Sequence, residues 1–221
     1  MEEVENLYHV VFKVSNLKHD PTAEIEKVRV CGTYTSLPLA KAAAHRCLFD
    51  AAYEQEFFET FDTQHGADIE WTHGDGIIVY AVAPDGEIFT VSLATTPNTY
   101  SYKSDADGKV NLDLYHVICT TVFYDRDASG SLRQTDVLGS YQSYDKARAA
   151  ARTVLLSEED GQTKNDWAQY DEIPADAKDW DYGEDVIVHA VGIGGENVLL
   201  SVVKGQEMES VRLMEAAMRI R

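Results

Sequence analysis

Leu7-Tyr8-His9-Val10 returns as Leu114-Tyr115-His116-Val117, 107 residues further along the chain. The same offset carries Gly32-Thr33-Tyr34 onto Gly139-Ser140-Tyr141, Ser36 onto Ser143, Ala42-Ala43-Ala44 onto Ala149-Ala150-Ala151 and Leu48 onto Leu155. Around residues 158–164 the second copy gains two residues. From there the offset is 109, and Phe58-x-x-Phe61-Asp62 meets Trp167-x-x-Tyr170-Asp171. Trp71-x-x-Gly74 then meets Trp180-x-x-Gly183, and Ile78-Val79-Tyr80-Ala81-Val82 meets Ile187-Val188-His189-Ala190-Val191. Colinear blocks with one small shift mark a tandem duplication, which sets the fold question before any other.

Each copy checks the other. Tyr8, Val10, Phe12 and Val14 alternate with His9, Val11 and Lys13, the period of a strand. Val28, Val30 and Gly32-Thr33-Tyr34 make a second strand, and the polar residues 16–26 join the two as a long hairpin loop. Ser36 and Ser143 stand at helix N-cap positions, with Pro38 in a first turn. Ala40, Ala43, Ala44, Cys47 and Leu48 form one apolar helix face, repeated as Ala147, Ala150, Ala151, Val154 and Leu155. The apolar runs 77–83 and 186–191 suit central strands. Phe89, Val91 and Leu93 alternate with polar residues as a last strand. The expected fold is α+β: two ββαββ repeats, each an antiparallel sheet with a helix on one face. The first repeat spans 1–94 and the second 114–204, joined by a polar linker over 95–113. Residues 205–221 read as an amphipathic helix with Met208, Val211, Met214, Ala217 and Met218 on one face, expected to pack on the repeats or complete a homodimer.

The Tyr-His-Val strand, the Gly-Thr-Tyr-x-Ser turn into an alanine-rich helix and the Gly-Glu-Asp-Val-Ile-Val-His-Ala-Val strand resemble uncharacterised proteins of filamentous fungi. The resemblance covers both repeats and implies a cytosolic fungal protein, with no activity attached.

The chain has 221 residues, is 44% hydrophobic and carries a net charge of -19. That acidity repels phosphate backbones and anionic membranes, so neither nucleic acid nor a membrane is an expected partner. A basic protein or a small cationic ligand is compatible with it. The N-terminal Met1-Glu2-Glu3-Val4 is unlike a secretory signal, so the expected compartment is the cytoplasm.

Asp125-Arg126-Asp127-Ala128-Ser129-Gly130, with Asp136, places oxygen-bearing side chains at positions 1, 3, 5 and 12 and a glycine at 6, as a calcium-binding EF-hand loop does. Asp125, Asp127, Ser129 and Asp136 are therefore the candidate metal ligands. Strands rather than helices flank the loop, Asp136 replaces the longer glutamate, and the first copy offers Lys18 and Arg29 at the matching ends. The competing reading is a polar hairpin turn. No cofactor is otherwise expected.

His9 and His116 are the histidines that the duplication pairs; with Tyr8 and Tyr115 they are the candidate catalytic groups, or else sheet-packing residues. His45, His73 and His189 align with Arg152, Tyr182 and Tyr80, which is read as the loss of any shared ligand role. Cys31, Cys47 and Cys119 align with Leu138, Val154 and Phe12 and read as core residues. The aromatic connections hold Phe58, Phe61, Trp71, Trp167, Tyr170 and Trp180, beside Asp166, Asp171, Glu172, Asp176, Asp179 and Asp181 in the second copy. They are either padding over the sheet or an acidic, aromatic-lined cleft for a cationic ligand. A non-catalytic binding or interaction protein is the first functional expectation. An enzyme using Tyr/His pairs at the interface of the repeats is the second, and a weak calcium-binding protein the third.

Overall fold

The computed structural model describes residues 5–206, apart from 17, 21–25, 65–70, 158–160, 175–179 and 184. The described chain divides into two compact units, one holding 5–111 with 205 and 206, the other 112–204. The helix read over Met208 to Met218, and with it Asp176 and Asp179, lies outside the described residues.

The first unit runs β1 (Asn6–Ser15), β2 (Lys27–Tyr34), α1 (Leu37–Asp50), β3 (Thr60–Thr63), β4 (Ile77–Val82) and β5 (Ile88–Pro97). The second runs β6 (Tyr115–Val122), β7 (Arg133–Tyr141), α2 (Tyr144–Thr153), β8 (Gln169–Glu172), β9 (Val186–Val191) and β10 (Asn197–Lys204). The sheets are ordered β2-β1-β5-β4-β3 and β7-β6-β10-β9-β8. Every pairing is antiparallel. The duplicated ββαββ architecture is thus present, and each aromatic connection adds a four-residue edge strand to it.

Alternation along β1 sends Val10 and Phe12 beneath α1, into a core with Ala44, Cys47, Leu48, Val79, Ala81, Phe89 and Val91. The buried face of α1 is Ala40, Ala43, Ala44, Cys47 and Leu48, as its periodicity predicts. Alanines keep the helix close to the sheet, and each fully buried Leu or Phe contributes about 1.5–3 kcal/mol. In the second unit Ala147 and Ala151 are buried, but Val154 is exposed, against the expected stripe. α2 ends at Thr153, whose hydroxyl donates back to the Ala149 and Ala150 carbonyls, and Ser157 is drawn into a bridge with Gln162. Val154 still donates its N–H to Ala150 O at 2.9 Å, but as the last residue of the helical path its side chain stays exposed.

The Gly-x-Tyr motif has a steric cause. The Tyr34 ring folds back over Gly32, where a Cβ would lie 2.9 Å from Tyr34 Cε2. Tyr141 covers Gly139 in the same way. One residue before each glycine, Cys31 and Leu138 fall at matching irregularities of register in β2 and β7, so the duplication preserved a bulge. The residues read as linker begin inside β5, and Lys109 bridges to Tyr34 while Val110 N–H donates to Thr33 O at 2.8 Å. Gln206 N–H donates to Val30 O at 2.9 Å, which ties the end of the described chain to β2.

Candidate functional site

In each unit the strand pair farthest from the β1–β2 or β6–β7 hairpin carries a cluster on the sheet face opposite the helix. Phe61 pairs with Ala81 beneath α1, so the next residues, Asp62 and Tyr80, point to the other face. Asp171 and His189 do the same in the second unit, beside Tyr170 and Ala190. The connection into β4 or β9, each next to the edge strand, then returns Trp71-x-His73 and Trp180-x-Tyr182. It turns at Gly74 (φ 103°) and Gly183 (φ 110°), a backbone region open to glycine. Trp71 Nε1 donates to Gly74 O at 3.0 Å, closing the first loop, while in the second Gly183 N–H donates to Trp180 O at 3.3 Å.

His73 stacks on Tyr80 with centroids 3.9 Å apart and planes 8° apart; Tyr182 stacks on His189 at 3.9 Å and 14°. The indoles meet the outer ring edge-on, Trp71 on His73 at 4.8 Å and Trp180 on Tyr182 at 5.0 Å. Histidine and tyrosine have therefore exchanged places between the copies while the stacked pair, the tryptophan and the carboxylate were kept. The sequence comparison treats the two exchanges separately and reads each as a loss; the structure makes them one compensated event. The exchange at an offset of 109 was the visible signal.

The two carboxylates differ in what holds them. His73 Nε2 donates to Asp62 Oδ2 at 2.8 Å, with the His73 side chain 22% and Asp62 48% exposed. Asp171 Oδ2 accepts from Gln169 Nε2 and from the Tyr182 hydroxyl at 3.2 Å, and His189 Nδ1 lies 3.7 Å away, past hydrogen-bond length. These donors, Gln169 first, hold the Asp171 carboxyl below the usual carboxylate range. Burial, then Asp171, push the Tyr182 phenol up, so it stays a donor. His189, 7% exposed, sits inside the sheet with its Nε2 on Asn197 Oδ1 at 2.9 Å. Asp171, itself 39% exposed, is held by two donors of its own cluster, while Asp62 meets the imidazole of His73.

His9 and His116 lie elsewhere. His9 is fully buried, its Nδ1 3.0 Å from Thr33 Oγ1 and its Nε2 2.8 Å from Thr96 Oγ1. It links β1 to both neighbouring strands, and burial lowers its pKa from 6.5 to about 4. His116, also buried, meets Ser140 Oγ at 2.8 Å. The Thr or Ser of Gly-Thr-Tyr and Gly-Ser-Tyr is thus the histidine's hydroxyl partner. Tyr8 and Tyr115 follow the strand alternation to the helix side, so neither unit brings its Tyr and His together.

Among the six aromatic candidates, Phe58 and Phe61 pack with Tyr53 and Phe89 in the helix-side core, and Trp167 and Tyr170 pack against the second core. Trp71 and Trp180 alone join the polar clusters. In the loop after β6, Asp127 accepts from the hydroxyls and backbone N–H groups of Ser129 and Ser131 and from Leu132 N–H. Those donors, the Ser131 hydroxyl foremost, hold its carboxyl far below the usual range. Asp125 pairs with Arg126, and Asp136 accepts from Gln134. The loop is closed by its own donors around Asp127. Among the described residues no group of three or more His, Cys, Asp or Glu is placed to hold a metal ion. No helix among them is long and apolar enough to cross a membrane.

No family model, curated protein or solved structure matches the chain.

Proposed function

We propose that the chain is a non-catalytic binding protein whose ligand site is the Trp71–His73–Tyr80–Asp62 cluster of the first unit, and that the ligand is a cationic side chain of a basic peptide. The observation that carries this reading is the contrast between the two clusters. The same four side-chain types recur and the carboxylates are comparably exposed, 48% for Asp62 and 39% for Asp171, yet Asp171 is taken up by Gln169 and Tyr182 while Asp62 meets the partly exposed His73 imidazole beside an indole. A guanidinium can pair with Asp62 and lie against the aromatic surface of Trp71, combining a charge-assisted hydrogen bond with cation–π attraction. The net charge of -19 draws such a peptide in. Three free cysteines fit a reducing compartment, and we place the protein in the cytoplasm.

One observation favours a second reading. An imidazole hydrogen-bonded through Nε2 to a carboxylate is how a general base is oriented, and His73 is accessible. The difference between the partners of Asp62 and Asp171 bears on ligand capture rather than on proton transfer, so binding is the reading carried forward.

The chain has three tryptophans, hence three indole N–H resonances. Titration with an arginine-rich peptide is expected to shift the Trp71 resonance and leave those of Trp167 and Trp180 in place, with Kd roughly 0.1–1 mM. Asp62→Asn should weaken binding by about tenfold or more, and Asp171→Asn should not. An unmoved Trp71 resonance at millimolar peptide overturns the proposal, as does a shift confined to Trp180.

A further inference from the structure

Cys31 stands at the bulge of β2 and Cys47 on the buried stripe of α1, and both belong to the helix-side core of the first unit. Cys47 is buried and Cys31 half-buried, and their thiols are hydrogen-bonded to each other. The second copy has Leu138 and Val154 at these positions, so both sulfurs are present in one unit and both are missing from the other. Core packing alone gives no reason for two thiols to occur as a touching pair.

We propose that Cys31 and Cys47 form a reversible disulfide across the α1–β2 contact, with a hydroperoxide as oxidant and Cys31 as the sulfur that meets it. The Cys31 sulfur attacks a peroxide oxygen, the O–O bond breaks, and a sulfenic acid and one water result. The Cys47 sulfur then displaces hydroxide from the sulfenic acid, forming the S–S bond and a second water. In sum, two thiols and one hydrogen peroxide give one disulfide and two waters: the sulfurs lose two electrons, the peroxide oxygens gain them, and both thiol protons end in water. The bond closes at about 2.05 Å, across the packing of α1 on the bulge of β2. Cys31 is half-buried and Cys47 buried, so an oxidant from solvent meets Cys31 first and Cys47 supplies the resolving step. The product closes the segment from β2 through α1 into a ring, stapling the helix to its sheet without any change in the ligand cluster on the other face.

Cys119, buried in the second unit, is the internal control. The full chain is treated with hydrogen peroxide, quenched in acid, alkylated and mapped by mass spectrometry without reduction. The expected result is a Cys31–Cys47 cross-linked peptide that dithiothreitol releases, an unmodified Cys119, and a Tm raised by at least about 5 °C. Cys47→Ser should convert the cross-link into oxygen adducts on Cys31, and Cys31→Ser should leave Cys47 unmodified. Oxygen adducts on Cys31 of the unaltered chain without a cross-link overturn the proposal, and so does a cross-link that includes Cys119. Both are read on unaltered protein, whether or not the variants fold.

Discussion

The two units share strand order, bulge position and helix placement, yet their polar clusters are assembled in reverse. In one, the outer ring of the stack is His73 and the inner ring Tyr80; in the other, the outer ring is Tyr182 and the inner ring His189. A position-by-position comparison sees two substitutions. Side-chain contact sees one conserved object, a stacked imidazole–phenol pair beside a carboxylate. What was retained through duplication is the pair rather than either residue, because stacking and hydrogen bonding to the aspartate are open to either ring in the outer place. The consequence of the exchange is exposure: the histidine faces solvent in the first unit and is enclosed in the second. The same logic applies to Cys31 and Cys47, which stand where Leu138 and Val154 stand in the other copy.

The largest effect should come from the buried histidine of the first unit. Its second hydroxyl partner, Thr96, pairs with Leu7 on β5, and in the second copy that place falls at Gly205. His9 takes up a proton at about pH 4 when folded and near 6.5 when unfolded. Its neutral form is therefore favoured by folding. That stabilisation is complete above pH 6.5 and is lost as the pH falls toward and through 4, for a total of about 3 kcal/mol. Urea midpoints measured between pH 7 and 4 should show the decline in the unaltered chain and a shallower one in His9→Gln. Equal slopes would mean that His9 is not held neutral by the fold.

A smaller effect tests the exchange itself. Rebuilding the second unit's arrangement in the first, as His73→Tyr with Tyr80→His, should leave stability within about 0.5 kcal/mol of the starting protein, whereas Tyr80→Ala should lose about 1–1.5 kcal/mol of stacking. The double-mutant cycle settles the matter: strictly additive single changes would show that the two rings are not one unit, and the correspondence between the clusters would be accidental.

The smallest difference lies at the helix starts. Ser143 Oγ accepts from Lys146 N–H at 3.3 Å, whereas Ser36, in the equivalent place, makes no such side-chain bond. Ser143→Ala should cost about 0.5–1 kcal/mol and Ser36→Ala no more than a few tenths. Thermal melts of the two variants side by side would show it, and a larger loss at Ser36 would reverse the comparison.

The sequence by itself determined the duplication, the long strands and the helix face, because each is written in a local period that appears twice. Alternation over Tyr8 to Val14 and the spacing from Ala40 to Leu48 are decided by neighbours within a few residues, and the backbone obeys them. The Trp-x-x-Gly and Gly-x-Tyr motifs were legible as repeats, though not as the loop closure and ring-over-glycine contact that they make. The short edge strands Thr60–Thr63 and Gln169–Glu172 escaped, since four residues carry too little alternation to read and form strands only because β4 and β9 offer an edge. Tertiary structure alone decided that Asp62 meets His73, that His73 lies on Tyr80, that Phe58 belongs to the core while Trp71 does not, and that Cys31 touches Cys47. Those contacts join residues from different elements, and their energies depend on distances of a few ångströms, which the spacing of residues along a chain does not encode.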